Sequence, residues 1–275
     1  MKIKILSILI LFTFHLNALD ANSVQHSVKT YMEKKMHSKV DKIEIVSTYF
    51  IAGTNGWEVY FLSLDIQIKM GKTFRKRTVA QVVFTKGEKL AFSLKDEKGR
   101  NYAKLLKPKV PSSAYDDAHF LVGNKDAPHK LLVMSDPFCP YCQEIVPEMI
   151  ELVKNNPKKF SLYYYHLPLL RIHPASDVTT KVMYLLHERG DVANMQKLYH
   201  LVINPREKNA NKILKAIKDK TGLIFTKDEI NTEEVLSALA FDKRMKKRLM
   251  VTGTPTIFID GIWDSTRFAY KKYLK

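Results

Sequence analysis

Two cysteines stand two residues apart in the run Asp136-Pro-Phe-Cys-Pro-Tyr-Cys142, and the 275-residue chain has no others. The thiolate is the reacting form of cysteine, so the chemistry of such a pair depends on what surrounds each sulfur. A strand that delivers a Cys-x-x-Cys pair to the first turn of a helix is a redox arrangement. A cysteine at a helix N-terminus faces unpaired backbone N–H groups and the positive end of the helix dipole, and both favour S⁻. Cys139 holds that position and is expected to be the acidic, attacking thiol. Cys142, one turn inside, is expected to be the resolving thiol, within reach of Cys139 but shielded from water. Pro140 suits the first helical position, whose N–H lacks a partner in any case. Tyr141 is expected to set an aromatic ring with a hydroxyl beside the sulfur.

Other uses of the pair fare worse. A Cys139–Cys142 bridge closes almost no loop and stabilises little as a structural staple. One Cys-x-x-Cys supplies two zinc ligands, and no His-x-x-x-His lies nearby to complete four. His166, His173, His187 and His200 lack ligand spacing and read as structural, so neither a metal nor a cofactor is called for. Asp116, Asp117, Glu144 and Glu148 are candidates for a buried acid that assists proton transfer from Cys142, and the sequence does not choose among them.

A second element is Thr252-Gly-Thr-Pro-Thr256. A proline directly ahead of a strand is well placed for a cis peptide bond. Pro255 has no N–H, so Thr254 can present its backbone to an extended substrate as an edge, with its hydroxyl near the sulfurs.

These residues need elements to hold them. Lys130–Met134 is an apolar strand of the kind buried in a mixed sheet. Pro140–Asn155 has helical spacing at Ile145, Val146, Met149, Ile150 and Val153. His119–Val122 and Phe160–His166 read as strands, and Gly123-Asn-Lys-Asp-Ala-Pro128 as a turn. Residues 175–250 are largely helical, with breaks near Gly190, Asn204-Pro205 and Thr221-Gly222. A strand at Thr256–Ile259, a turn at Asp260-Gly261 and a closing helix over Ser265–Leu274 complete the domain. The order β-α-β, helical insert, β, α is that of a thioredoxin fold with an inserted helical subdomain. Upstream, a helix at Ser23–Lys35 precedes strands at Ile43–Ile51, Trp57–Lys69, Thr73–Thr85 and Lys89–Leu94, with a turn at Asn55-Gly56. The expected organisation is a leader over 1–21, an α+β module over 22–97, a polar and basic linker over 98–117 with a short helix near 100–107, and the redox domain over 118–275.

The leader reading rests on Lys2 and Lys4, an apolar run from Ile5 to Phe14, and small or polar residues at 17–21. That run is about ten residues, too short to span a bilayer, which takes roughly 20. The alternatives are an uncleaved anchor or a buried helix. Export places the cysteines in an oxidising compartment. The apolar share of 45% and the charged share of 27% are those of a globular protein. The formal net charge is +17, but the lysines are scattered and no aromatic-interleaved RNA-binding signature occurs, so no nucleic acid is expected as a partner. The dense run Lys243-Arg-Met-Lys-Lys-Arg248 reads as the exposed face of a helix.

The run Asp136-Pro-Phe-Cys-Pro-Tyr-Cys142, the preceding Gly123–Pro128 turn and the pair Thr254-Pro255 resemble those of the periplasmic disulfide isomerases of the DsbG/DsbC family, in its DsbG form. The resemblance covers residues 118–275; upstream, the helix and meander are only consistent with that family's cystatin-like dimerisation domain. It implies a V-shaped homodimer, with the two Cys139 sites facing a shared cleft. It implies a membrane reductase of the DsbD type that keeps Cys139 reduced. Its clients would be exported proteins with wrongly paired disulfides or sulfenylated single cysteines. The basic charge departs from the acidic cleft associated with DsbG. Two other functions fit the same residues. One is a DsbA-like net oxidase served by a DsbB-type partner, since a single Cys-x-x-Cys can run either way. The other is a chaperone-type binding module with incidental cysteines.

Overall fold

The computed structural model describes residues 19–36, 38–70 and 73–274. The leader expected over 1–21 therefore lies outside the described residues except for its last three. The chain divides into two compact units, residues 1–103 and 104–275.

Among the described residues, the first unit carries α1 (Ala21–Lys35) and an antiparallel sheet of β1 (Ser38–Phe50), β2 (Glu58–Met70), β3 (Thr73–Lys86) and β4 (Lys89–Ala91), in that order. Asp20 caps α1 by accepting the Ser23 N–H at 2.7 Å. Val24, Val28 and Met32 recur at helical spacing and are buried against Val40, Tyr60, Leu62, Leu64, Ile66 and Val83 of the sheet. The β1–β2 turn uses Asn55 and Gly56, both at positive φ.

The second unit carries a five-stranded sheet in the order β5-β7-β6-β8-β9. Its strands are β5 (Phe120–Gly123), β6 (His129–Ser135), β7 (Phe160–His166), β8 (Thr256–Ile259) and β9 (Ile262–Asp264). β6 and β7 are parallel, as a helical crossover requires, and the other pairs are antiparallel. β7 is buried throughout, because both faces of the sheet are covered. Leu131, Val133, Leu162 and Tyr164 pack on one side with α3 (Pro140–Asn155). Leu132, Met134, Tyr163 and Tyr165 pack on the other with Leu249 and Val251. The helical stretch resolves into α4 (Ser176–Glu188), α5 (Val192–Lys197), α6 (Ala210–Thr221) and α7 (Glu233–Arg248). α6 ends on Gly222 in the left-handed conformation.

Three features differ from the reading by pattern. β9 pairs with β8 across the Asp260-Gly261 turn, a strand too short to show a period. The closing segment is a 3-10 helix over Ala269–Leu274 only. The Asp264 carboxylate accepts from the Thr266 N–H and hydroxyl and from the Ala269 N–H, and Arg267 sits at φ +68, so the chain turns where a helix was expected. Within the stretch 98–117, a four-residue helix α2 (Tyr102–Leu105) forms, and Val110 and Ala114 are buried in the second unit. The Val110 N–H donates to Gly261 O, and the Tyr165 hydroxyl to Ala114 O.

Candidate active site

Cys139 is the N-cap residue of α3, with extended backbone angles, and Pro140 begins the helix. The Cys142 and Gln143 N–H groups donate to Cys139 O at 2.9 and 3.0 Å and close the first turn. Ile145, Val146, Met149, Ile150 and Val153 are buried against the sheet, and α3 continues through Pro147. Burial of that apolar stripe outweighs the one helical hydrogen bond a proline removes.

The approach to the helix is fixed by Asp136, which is completely buried. Its carboxylate accepts from the Phe138 N–H at 2.7 Å, the Leu169 N–H at 2.6 Å and the Ser176 hydroxyl at 3.0 Å, and lies 3.2 Å from His173 Nδ1. One side chain thus ties the cysteine loop, the segment after β7 and the start of α4 together.

Both cysteines are free thiols. Cys139 is 7% exposed and Cys142 fully buried. The Cys139 pKa is held down to about 5. The largest cause is a hydrogen bond from the Cys142 thiol; burial opposes it, and the Thr254 side chain and the backbone N–H groups of Cys142 and Tyr141 add to the lowering. At pH 7 such a group is mostly thiolate, whereas an unperturbed thiol is mostly protonated. Cys142 moves the other way: burial pushes its thiol well up, and the neighbouring Cys139 adds to the rise. The Ser135 hydroxyl and the Asp136 N–H oppose that rise. The two sulfurs are therefore driven apart, Cys139 towards the thiolate and Cys142 towards the thiol.

Thr254-Pro255 is a cis peptide. Both residues are buried, and the neutral Cys139 thiol donates to Thr254 O at 3.3 Å. The Thr254 hydroxyl has no hydrogen-bond partner among the described residues, which leaves it free to donate once the sulfur ionises. Pro140 is exposed. Tyr141 is placed differently from expectation. Its ring is 58% exposed under the Arg267 guanidinium, 5.0 Å from the ring centroid, and its link to the Cys139 sulfur is its backbone N–H.

None of the four candidate acids is buried: Asp116 is half-buried, and Asp117, Glu144 and Glu148 are exposed. Ser135, which opposes the rise of the Cys142 thiol, lies just outside the motif and belongs to a buried hydroxyl cluster. Ser135 Oγ is 2.6 Å from the Tyr199 hydroxyl, which is 2.6 Å from that of Tyr164, and all three side chains are fully buried. A serine closing the apolar run Leu131–Met134 was the sequence signal for them.

His166 and His187 lie near each other, ring centroids 6.4 Å apart, while His173 belongs to the Asp136 cluster and His200 is exposed. His119 is sandwiched between Asp116 and Asp242. Burial would lower its pKa, but the two carboxylates prevail and raise it. Burial holds His166 and His187 neutral. With Tyr164, Tyr184 and Phe241, these groups line a cavity of about 200 Å³ that neither cysteine reaches. Among the described residues, no group of three or more His, Cys, Asp or Glu side chains is arranged to hold a metal ion.

A family model described as Thioredoxin matches residues 116–273, more than half of the chain. The chain belongs to the thioredoxin family. No curated protein matches it. Among solved structures, this thioredoxin-family chain is similar to a thioredoxin-like oxidoreductase from Silicibacter pomeroyi DSS-3, with 20% identity over 60% of this chain and 96% of that one and a TM-score of 0.48. A periplasmic thioredoxin-like protein from Salmonella enterica serovar Typhimurium matches with 18% identity over 60% and 98% and a TM-score of 0.47. BdbD from Bacillus subtilis matches with 15% identity over 61% and 92% and a TM-score of 0.46.

Proposed function

We propose that this thioredoxin-family chain is an exported thiol–disulfide oxidoreductase that acts as a disulfide isomerase and reductase in the periplasm, of the DsbG/DsbC type and closer to DsbG. The observation that carries the proposal is Cys139: an acidic thiol at the start of α3, backed by the buried Cys142 and facing cis Thr254-Pro255. The Cys139 thiolate attacks one sulfur of a substrate disulfide. The substrate S–S bond breaks, its electron pair leaves on the second sulfur, and a mixed disulfide forms. The freed thiolate then attacks another disulfide of the substrate, and the thiolate this releases attacks the mixed disulfide and expels the Cys139 thiolate; or Cys142 attacks Cys139, forms the Cys139–Cys142 bond and releases the substrate as a thiol. A sulfenylated cysteine enters the same cycle by losing its oxygen as water. A membrane reductase of the DsbD type returns Cys139 to the thiol. The N-terminal unit, a helix on a four-stranded antiparallel sheet, serves as the cystatin-like dimerisation domain of a homodimer.

One observation favours a second reading, the DsbA-like net oxidase with a DsbB-type partner. A depressed Cys139 pKa stabilises the dithiol and makes the disulfide more oxidising. Trapping the thiols in intact cells with a mass-tagged alkylating agent separates the two. Mostly reduced Cys139 is expected; mostly oxidised protein at steady state overturns the isomerase in favour of the oxidase. Cys139→Ala is expected to abolish insulin reduction and the rescue of scrambled ribonuclease. Full activity in that variant would instead make the protein a chaperone-type binding module.

A further inference from the structure

The resolving step asks Cys142 to become a thiolate in a place that disfavours one. The sulfur is fully buried, and burial pushes its thiol well above the ordinary range. Among the described residues, no carboxylate bears on the Cys142 thiol. None of the four candidate acids of the sequence is buried, and the Asp136 oxygens are occupied by two backbone N–H groups, Ser176 and His173. Besides the neighbouring Cys139, the groups that bear on the sulfur are the Ser135 hydroxyl and the Asp136 N–H, both of which favour its ionisation.

Ser135 is the last residue of β6, Tyr164 lies within β7, and Tyr199 sits in a short 3-10 helix, Leu198–His200, of the helical insert. Their hydroxyls meet at 2.6 Å, Ser135 to Tyr199 and Tyr199 to Tyr164. Resting on the oxidoreductase function proposed above, we infer that the Ser135–Tyr199–Tyr164 hydroxyls form an array that stabilises the Cys142 thiolate as it attacks the mixed disulfide. With Cys142 ionised, Tyr164 donates to Tyr199, Tyr199 to Ser135, and Ser135 to the sulfur. With Cys142 protonated in the reduced protein, its S–H donates to the Cys139 sulfur and the three hydroxyls bond among themselves. The array follows the charge on sulfur by rotating O–H bonds, with no heavy atom displaced. Burial pushes both tyrosine pKa values up, so the array itself stays neutral. A buried carboxylate in the same place would repel the thiolate it helped to form. In the step itself, the bond between Cys139 and the substrate sulfur breaks, the Cys139–Cys142 bond forms, and the electron pair leaves on the substrate. The Cys142 proton passes to that departing thiolate or to water, so no further oxidant or reductant is needed. In this array Ser135 donates to the reacting sulfur and is the catalytic residue; Tyr199 and Tyr164 act through it as positioning residues.

The test is stopped-flow reaction of the reduced protein with an aromatic disulfide that releases a coloured thiol. Attack by Cys139 releases the first thiol, and resolution by Cys142 releases the second. Loss of a hydrogen bond to a charged group predicts that Ser135→Ala slows the second phase about ten- to a hundredfold. The first phase is expected to stay as in the wild type, and the pH profile of the second to move to higher pH. Tyr199→Phe is expected to act in the same direction but less, and Ser135→Thr, which keeps the hydroxyl, to restore the rate. A wild-type second phase in Ser135→Ala overturns the array. So does equal slowing of both phases with an unmoved pH profile, which marks structural damage. If the wild type releases no thiol, or releases it unchanged in Cys139→Ala, the oxidoreductase reading fails first and takes the array with it.

Discussion

At the scale of single residues, the chemistry turns on how differently two identical side chains are treated. Cys139 receives hydrogen bonds that favour its thiolate, and Cys142 is denied solvent. Iodoacetamide alkylation of Cys139 followed against pH should therefore show a midpoint near the value of about 5 given above. A midpoint in the ordinary thiol range, about 8.5, contradicts the site as described. The same shift links redox state to stability. Between the folded value and the unfolded one of about 8.5, the reduced unfolded chain binds more protons than the folded one, so stability rises with pH. The contribution is fully present above the unfolded value and is lost as pH falls through the folded one. The oxidised protein has no titrating thiol. Urea unfolding of both forms, from pH 4.5 to pH 8, should show the reduced form gaining on the oxidised one as pH rises; a constant difference contradicts it.

At the scale of elements, the site is a junction between the ends of β6 and β7, the start of α3 and the loop before β8. Its tightest upstream constraint is Gly123, at the end of β5. It adopts φ +100, and a Cβ there would lie 2.3 Å from Phe160 O and 2.8 Å from a Val153 methyl carbon. Backbone strain and the clash act together, so Gly123→Ala should destabilise by about 3 kcal/mol or more, read as an earlier urea midpoint. Because β5 pairs with β7, the loss should fall on the second unit. The basic run at Lys243–Arg248 has a simple place at this scale. It closes α7, where cations meet the negative end of the helix dipole, while Asp242 and Met245 of the same helix are buried.

For the whole molecule, two compact units share one chain, and the thioredoxin family match falls within the second of them. Among the described residues, no helix is long and apolar enough to cross a membrane. The second unit carries its own acid sensitivity. Burial keeps His166 and His187 neutral, while an unfolded histidine binds a proton below about 6.5. Their effect is to lower stability as pH falls below that value; His119, with its raised pKa, works the other way. In the oxidised protein, where no thiol titrates, His166 and His187 pull stability down as pH falls, while His119 and the buried Asp242, whose pKa is also raised, push it up. Relative to the wild type, His166→Gln should gain stability from pH 7 to pH 5; an unchanged slope places the sensitivity elsewhere.

Much of the site is legible in the chain because it is local. The spacing of Cys139 and Cys142, the proline at the first helical position, the apolar strand before them and the α3 stripe all lie within 26 residues, from Lys130 to Asn155. Thr254-Pro255 announces itself by a proline ahead of a strand. Local spacing carries that much because backbone geometry ties each position to its neighbours. What only the tertiary structure decided is long-range. Tyr199 reaches Ser135 across 64 positions, Asp242 reaches His119 across 123, and the Cys139 sulfur reaches Thr254 across 115. Asp136 in its buried cluster and Tyr141 turned towards Arg267 belong to the same class. No periodicity marks such pairings, since they depend on sheet register and on where helices cross the sheet. Thus Cys139 and Cys142 are evident in the sequence, while the hydroxyls and N–H groups that set them apart come together only in the fold.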